Sequence, residues 1–308
     1  MSTALTSRRR PPWQGFSDWA NRHRKWVLAT PAIVFVIALM VLPLLYTVVL
    51  SFTDAEGSIQ RAFDFVWFEN YLSILGDTER FWPAVWRTAI FTAVAVALEM
   101  SIGMAVALLL RRPFLGRGAI RVIMLLPLVA TPVAVAMMWL LIFEPTVGFA
   151  NQLLGWLGIP AQGWISDPST ALPTLMLVDV WQWTPMVILI LLAGLVGLPE
   201  EQQEAARIDG ASSWQRFWHV TLPMLKTTVI AALLLRSIDA MKTFDLLYVT
   251  KGTGGGSAHE VETLNIYAYA LSFDYNEYGM AAALVLLYFL LIVIVLAVLT
   301  VRRKEAQR

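Results

Sequence analysis

Leu198-Pro199-Glu200-Glu201-Gln202-Gln203-Glu204-Ala205-Ala206-Arg207-Ile208-Asp209-Gly210 is a polar segment set between two long apolar runs, Leu172 to Leu198 and Thr227 to Thr250. Its residues predict a short helix. Pro199 suits the first helical position, Glu200 and Glu201 complement the dipole of the first turn, and Gly210 can take the left-handed conformation that ends the helix. A second helix is expected directly after it. Ser212 and Gln215 are spaced as a capping box, Trp214, Phe217 and Trp218 make an apolar stripe, and Leu222-Pro223 is expected to stop the run.

Outward from this hairpin the chain is dominated by apolar runs. Of its 308 residues 58% are hydrophobic and only 15% charged, with a mean hydropathy of +0.64. That balance lies outside the range of a soluble domain of this length. A bilayer core of roughly 30 Å takes about 20 apolar residues per helix. Spans of that size are predicted at Val27 to Phe52, Thr88 to Leu110, Val122 to Phe143, Leu172 to Leu198, Thr227 to Thr250 and Met280 to Val301. The fold class expected is all-α, a polytopic membrane protein with six transmembrane helices. Residues 1–26 form an N-terminal tail, 27–301 the membrane domain with the hairpin as loop 199–223, and 302–308 a C-terminal tail. Val27 to Phe52 is too long for a signal-peptide core and lacks a small-residue cleavage site, so it is read as an uncleaved first span.

Charge placement tests the six-span topology. Six spans put the two tails, the 111–121 loop and the hairpin on one face, which then carries 17 Lys and Arg. The opposite loops carry four, Arg61, Arg80, Arg87 and Lys251, among twelve acidic residues. The basic face is cytoplasmic by the positive-inside rule, which places both termini there. Miscounting one span would exchange the faces downstream and destroy this asymmetry. The opposite loops are also rich in rings, among them Phe63, Phe65, Trp67, Phe68, Phe81, Trp82, Trp156 and Trp164. An interfacial aromatic belt accounts for most of them, and others could receive a docked partner.

Several chemistries are excluded. There is no Cys, hence no disulfide and no thiolate metal site. His23, His219 and His259 are scattered without carboxylates at metal spacing, and no G-x-S-x-G or H-E-x-x-H occurs. Gly252, Gly254, Gly255 and Gly256 are not followed by the Lys of a phosphate loop and are read as a flexible turn. No cofactor, no metal and no catalytic constellation is expected, and a net charge of +1 gives no sign of nucleic acid.

Charges within the spans point to a polar path. Glu99, Asp179, Arg236, Asp239, Lys242 and Asp245 lie in apolar runs, and each facing lipid would cost about 2.5–3.5 kcal/mol or more. Most must face protein or water. The last four recur every three residues with alternating sign, which on one helix makes a stripe of neighbouring pairs. Mutual neutralisation and solute contact are both open for it. Pro127, Pro132 and Pro185 mark places where broken helices could line a wet cavity. Asp179, Gln182 and Trp183 offer a carboxylate, an amide and an indole to one sector, a set suited to hydroxyls and to the apolar face of a pyranose. Trp183 and Trp181 serve equally well as packing residues.

The hairpin itself admits two readings, a helix pair lying in the headgroups or a projection for a groove in a partner. Glu204-Ala205-Ala206, with Gly210 after it and Leu222-Pro223 beyond, resembles the EAA coupling motif of permease subunits of bacterial ABC importers with the type I, MetI-like fold. The resemblance extends over nearly the whole chain through Leu126-Pro127, Phe143-Glu144-Pro145, Gly148, Asn151-Gln152-Leu153-Leu154, Ser166-Asp167-Pro168, Thr170-Ala171 and Phe244-Asp245-Leu246-Leu247-Tyr248-Val249. It is similar to sugar permeases of the maltose, glycerol-3-phosphate and trehalose type, although Gly254-Gly255-Gly256 stands where such members usually have Gly-Gly-Pro.

The resemblance implies a permease that moves a carbohydrate substrate across the lipid bilayer by alternating access, with a second permease subunit, ABC ATPase subunits and an extracytoplasmic solute-binding protein as partners. It implies hydrolysis on the ATPase, coupling contacts at Glu204, Ala205, Ala206, Asp209 and Gly210, and substrate contacts at Leu128, Asp179, Gln182, Trp183, Asp239 and Thr243. Leu128 is equally a packing residue. Glu204 is expected to cap or salt-bridge within the loop. A glycerol phosphate or polyol permease, and an ion-coupled carrier using Asp179 or Asp239, are the alternative functions.

Overall fold

The computed structural model describes residues 24–57 and 63–305. Arg8, Arg9, Arg10 and Arg22 of the basic tail, Arg61, and Arg308 lie outside the described residues. Five helices are long and apolar enough to cross a membrane, and a bent pair supplies a sixth crossing. Among the described residues the one pairing of extended backbone is an isolated bridge between Thr53 and Phe65.

Three helices begin well ahead of their apolar runs, and polar caps explain two of them. The second span covers Phe81–Arg111, where the Asp77 carboxylate accepts the backbone N–H groups of Glu79 at 3.0 Å and Arg80 at 2.9 Å. The fourth covers Pro168–Val196. Asp167 caps it, accepting from Ser169 N–H at 2.8 Å, with Pro at the first position. The fifth, Leu222–Met241, grows directly out of the hairpin. Leu222-Pro223 therefore does not stop the second hairpin helix. A π-helical turn at Phe217–Thr221 precedes the proline, and such turns relieve a helix of the missing i→i−4 bond.

The prolines of the spans behave differently from one another. Pro127, Pro173 and Pro185 sit inside continuous helices, so the fourth span is not broken at Pro185 as the sequence suggests. The third span is broken. Arg117–Val129 and Pro132–Ile142 are bent by 98°, with Ala130 and Thr131 extended between them. Thr131 precedes Pro132 and is thereby pushed out of the helical region, and its hydroxyl caps the new helix by accepting Ala134 N–H at 3.4 Å.

The fourth span is the centre of the molecule, with 67% of its apolar window buried, against 6% for the first span, Leu28–Leu50. It packs along the second span, where a Cβ on Gly103 would come within 2.7 Å of Val187 Cγ1. Glycine permits this close approach of backbones. Ala107, Leu110, Val187, Leu191, Leu195 and Leu225 pack the half of this core nearer the hairpin. Phe91, Val135, Leu175, Leu246 and Ile266 pack the half nearer the far face. The sixth span, Tyr278–Glu305, closes the far side against Phe81, Ala84 and Leu264.

The far-face loops are packed more tightly than their composition suggests. Arg80 donates to Glu262 at 2.5 Å and pins the start of the second span to the 252–263 turn. Gly255 is buried at φ +69, and a Cβ there would run into the backbone of Glu262. The glycine turn is thus held by close packing and is not the loose connection expected from its residues. Burial pushes the Glu260 carboxyl up, but the Lys251 ammonium at 2.6 Å and the Ala258 N–H at 3.0 Å outweigh it and hold the group below its ordinary range. Of the rings expected in an aromatic belt, Phe65, Trp67, Phe68, Trp82 and Trp156 are exposed, whereas Phe81 is buried. Trp164 donates its indole N–H to Asn151 at 2.7 Å.

Candidate functional site

The breaks in the third and fifth spans meet the fourth span at one place. The fifth span ends at Met241, the chain turns through Lys242–Phe244, and a short helix, Asp245–Lys251, continues towards the far face. The predicted stripe of four charges is therefore interrupted, because Asp245 belongs to a different helix from Arg236 and Asp239. A cavity of about 290 Å³ opens at this junction, lined by Pro132 from the third span, Asp179, Gln182 and Trp183 from the fourth, Arg236 and Asp239 from the fifth, and residues 242–246 from the turn and the helix that extends it. The carbonyl of Ala130, freed by the break, accepts the Gln182 side-chain N–H at 3.4 Å.

The floor of the cavity is formed by Asp179 and Arg236, two members of an ionic triad whose third, Glu99, lies beneath it. Arg236 Nε donates to Glu99 Oε2 at 2.5 Å and Nη2 to Glu99 Oε1 at 2.7 Å, while Nη2 also reaches Asp179 Oδ2 at 2.6 Å. All three side chains are 1% exposed or less. The guanidinium lies 5.3 Å from the centre of the Trp183 ring. Taking such charges out of water is costly, and only close pairing with good geometry compensates. Above this floor Asp239 and Lys242 are exposed and 3.9 Å apart.

Five of the six expected solute-contact residues, Asp179, Gln182, Trp183, Asp239 and Thr243, line this one cavity. Leu128 does not. It is half-buried on the Arg117–Val129 helix, before the break that turns the chain towards the cavity. Glu99 is the residue whose role sequence reasoning missed. Its position in an apolar run marked it as paired, but the partner is 137 positions away and neither spacing nor motif connects the two.

On the opposite side of the fold the hairpin stands as an elbow. Glu200–Ile208 is its first helix, with Pro199 as the cap instead of the first helical residue. Gly210 has φ +79 with open space around it, so its conformation and not its size demands glycine. The capping box is present: Gln215 N–H donates to Ser212 Oγ at 3.3 Å and Ser212 N–H to Gln215 Oε1 at 2.8 Å. Gln203 ties the elbow to the fifth span through Thr221 Oγ1 at 3.0 Å. Glu204, Ala205, Asp209 and Gly210 are exposed and Ala206 half-buried. Glu204 makes no cap or salt bridge to a described residue, and the loop is closed instead by Ser212 and Gln215. A groove of about 870 Å³ runs between the elbow and the end of the second span, lined by Arg111, Arg112, Glu200, Glu204, Arg207 and Arg216 among others. Ile208 is 85% exposed on the elbow.

A bent third span, a charged cavity at its break and an exposed elbow on one six-span chain define a transport permease. The fold matches a solved chain from a bacterial ABC transporter involved in the import of the acidic polysaccharide alginate, with a TM-score of 0.82, 18% identity, and coverage of 94% of this chain and 99% of that one. Residues 99–304 match the family model described as binding-protein-dependent transport system inner membrane component, and the chain belongs to that family. It is similar to the trehalose/maltose transport system permease protein MalF of Thermococcus litoralis, 36% identical over 259 residues that cover 84% of this chain and 86% of the relative. It is also similar to the trehalose transport system permease protein SugA of Mycobacterium tuberculosis, 32% identical over 268 residues, 87% and 84% of the two chains. The protein is a multi-pass membrane permease, a transport subunit and not itself an enzyme.

Proposed function

We propose that this chain is one permease subunit of an ABC importer that carries a neutral sugar inward, with both termini and the elbow in the cytoplasm. A second permease completes the pore, ATPase subunits grip the elbow, and an extracytoplasmic binding protein delivers the solute. The observation that carries this reading is the presence, on one helical frame, of an elbow that carries Glu204, Ala205, Ala206 and Gly210 and of a polar cavity formed by the third, fourth and fifth spans. The fifth span joins them directly, since it starts at the elbow and ends at the cavity. A push on Glu200–Ile208 is delivered along that helix to Asp239 and Thr243.

The cavity chemistry supports a neutral polyol surface. Gln182, Thr243, Asp239 and Lys242 supply donors and acceptors, and Trp183 an aromatic face. Counting Glu99 beneath the floor, the site holds Glu99, Asp179, Asp239 and Asp245 against Arg236 and Lys242, a negative balance that disfavours phosphorylated solutes. A gradient-driven carrier would use Asp179 or Asp239 to exchange a proton or cation; Asp179 is engaged by Arg236, which leaves Asp239, 3.9 Å from Lys242, as the carboxylate such a carrier would have to use. Affinity purification from the native membrane tests the assembly. Recovery of an ATPase and a second six-span permease with this chain is expected, and a self-sufficient oligomer that takes up sugar on an ion gradient would overturn the reading.

A further inference from the structure

Four arginines from three helices face one groove at the foot of the elbow. Arg111 belongs to the end of the second span and Arg112 follows it, Arg207 lies on the first elbow helix and Arg216 on the second, and all four line the groove of about 870 Å³. Among the described residues none of them forms an ion pair, although Glu200 and Glu204 line the same groove. Arg216 Nη2 donates to Ser213 Oγ at 3.1 Å, and its Nε is buried without a partner. Four arginines against two glutamates leave two positive charges in excess.

Deeper along the second span the wall of the groove is apolar, supplied by Ala105, Leu108 and Leu109. Ile102, Ala105, Leu109 and Arg112 follow one another at three, four and three residues and so share one face of the helix. Leu109 is 69% exposed and Ile102 43%, which carries that apolar face down the outside of the span. Of the residues expected to meet the ATPase, Ala205, Asp209 and Gly210 lie outside the lining, and Asp209 and Gly210 border a separate hollow with His219 and Val220. Only Glu204 reaches both sides. A phosphodiester suits the arginine rim, because guanidinium groups grip phosphate oxygens through several N–H donors. A free anion would leave the apolar wall uncovered, and a protein segment would have to enter the bilayer level to reach it. A lipid carries its phosphate directly above apolar chains.

We propose that the groove seats one anionic phospholipid of the cytoplasmic leaflet, its phosphate among Arg111, Arg112, Arg207 and Arg216 and its chains along Leu109 and Ala105. The lipid then ties the elbow to the end of the second span. The inference rests on the cytoplasmic placement of the elbow and adds a ligand on the side of it that faces the membrane.

The test uses the whole importer complex, released from vesicles of phosphatidylcholine mixed with phosphatidylglycerol and weighed by native mass spectrometry. Wild type is expected to retain phosphatidylglycerol in preference to phosphatidylcholine. Arg112→Gln and Arg207→Gln are each expected to lower its apparent affinity roughly fivefold, and the double variant roughly thirtyfold. Both side chains are exposed, so the fold does not depend on them. Lys25→Gln removes an exposed charge outside the groove and is expected to leave retention unchanged. Equal retention of the two lipids, or Gln variants that bind as wild type, would overturn the site. An equal loss in Lys25→Gln would also overturn it, by marking a diffuse surface charge. So would displacement of the lipid by added ATPase, which gives the groove to that partner, or by inorganic phosphate at matched ionic strength, which marks a plain anion site. A chain recovered without any ATPase would sink the importer reading instead, and its lipid retention with the same variants still decides the groove.

Discussion

Glu99 on the second span holds Arg236 on the fifth by two hydrogen bonds, at 2.5 and 2.7 Å, and the guanidinium in turn holds Asp179 on the fourth. Removing the one cation of this triad strands two buried carboxylates. Arg236→Met is expected to cost about 3–5 kcal/mol of stability, read as a lower thermal unfolding midpoint of the purified protein in detergent. An unchanged midpoint would mean that the guanidinium is not what holds Glu99 and Asp179 in the core.

Asp239 and Lys242 face the same cavity but are exposed and 3.9 Å apart. Exposed pairs contribute about 0–1 kcal/mol. Asp239→Asn should therefore leave the unfolding midpoint nearly unchanged while lowering sugar uptake by roughly tenfold, the worth of one charge-assisted hydrogen bond to a hydroxyl. Normal uptake by a stable variant would remove Asp239 from the contact set.

Gly210 turns the elbow at φ +79. A β-branched residue in that conformation costs about 1–3 kcal/mol, which works against the turn that sets the angle between the two elbow helices. Gly210→Val should abolish transport while sparing membrane insertion, checked by uptake alongside the membrane-fraction yield. Full uptake by the variant would contradict the lever role of the elbow.

Glu260 gives the far-face turn a defined pH dependence. Its carboxyl is held below the ordinary range, so its contribution is present above the unfolded-state value and is lost as pH falls through the depressed folded value. Protection against hydrogen exchange at residues 254–262, taken relative to the intrinsic rate at each pH, should fall on acidification through that window. Glu260→Gln should show the lower protection at all pH values, and a variant as protected as wild type would contradict the contribution of the Lys251 contact.

Much of this was legible in the residues because membrane burial leaves a strong local signal. Span count follows from apolar length, and the elbow from Pro199, Gly210 and the Ser212–Gln215 pair, all of which act within one turn of chain. What escaped is set by distance or by competition. Glu99 and Arg236 meet across 137 positions. Three spans start early, two because Asp77 and Asp167 cap turns that hydropathy does not count. Of the prolines proposed as breaks, Pro132 acts because Thr131 before it goes extended and Ala130 finds Gln182 as a partner, while Pro185 stays inside a helix packed on both sides. Gly254 to Gly256 reads as loose in sequence, yet the turn is packed against Glu260 and Glu262.

The account stands on the elbow gripping a separate ATPase in the cytoplasm. The chain has no Cys, so Glu204→Cys gives a single reporter for a membrane-impermeant maleimide. Labelling is predicted in inside-out vesicles stripped of the ATPase, blocked when the ATPase is added back, and absent in right-side-out vesicles. Labelling from the outside, or labelling that the ATPase leaves untouched, would contradict it.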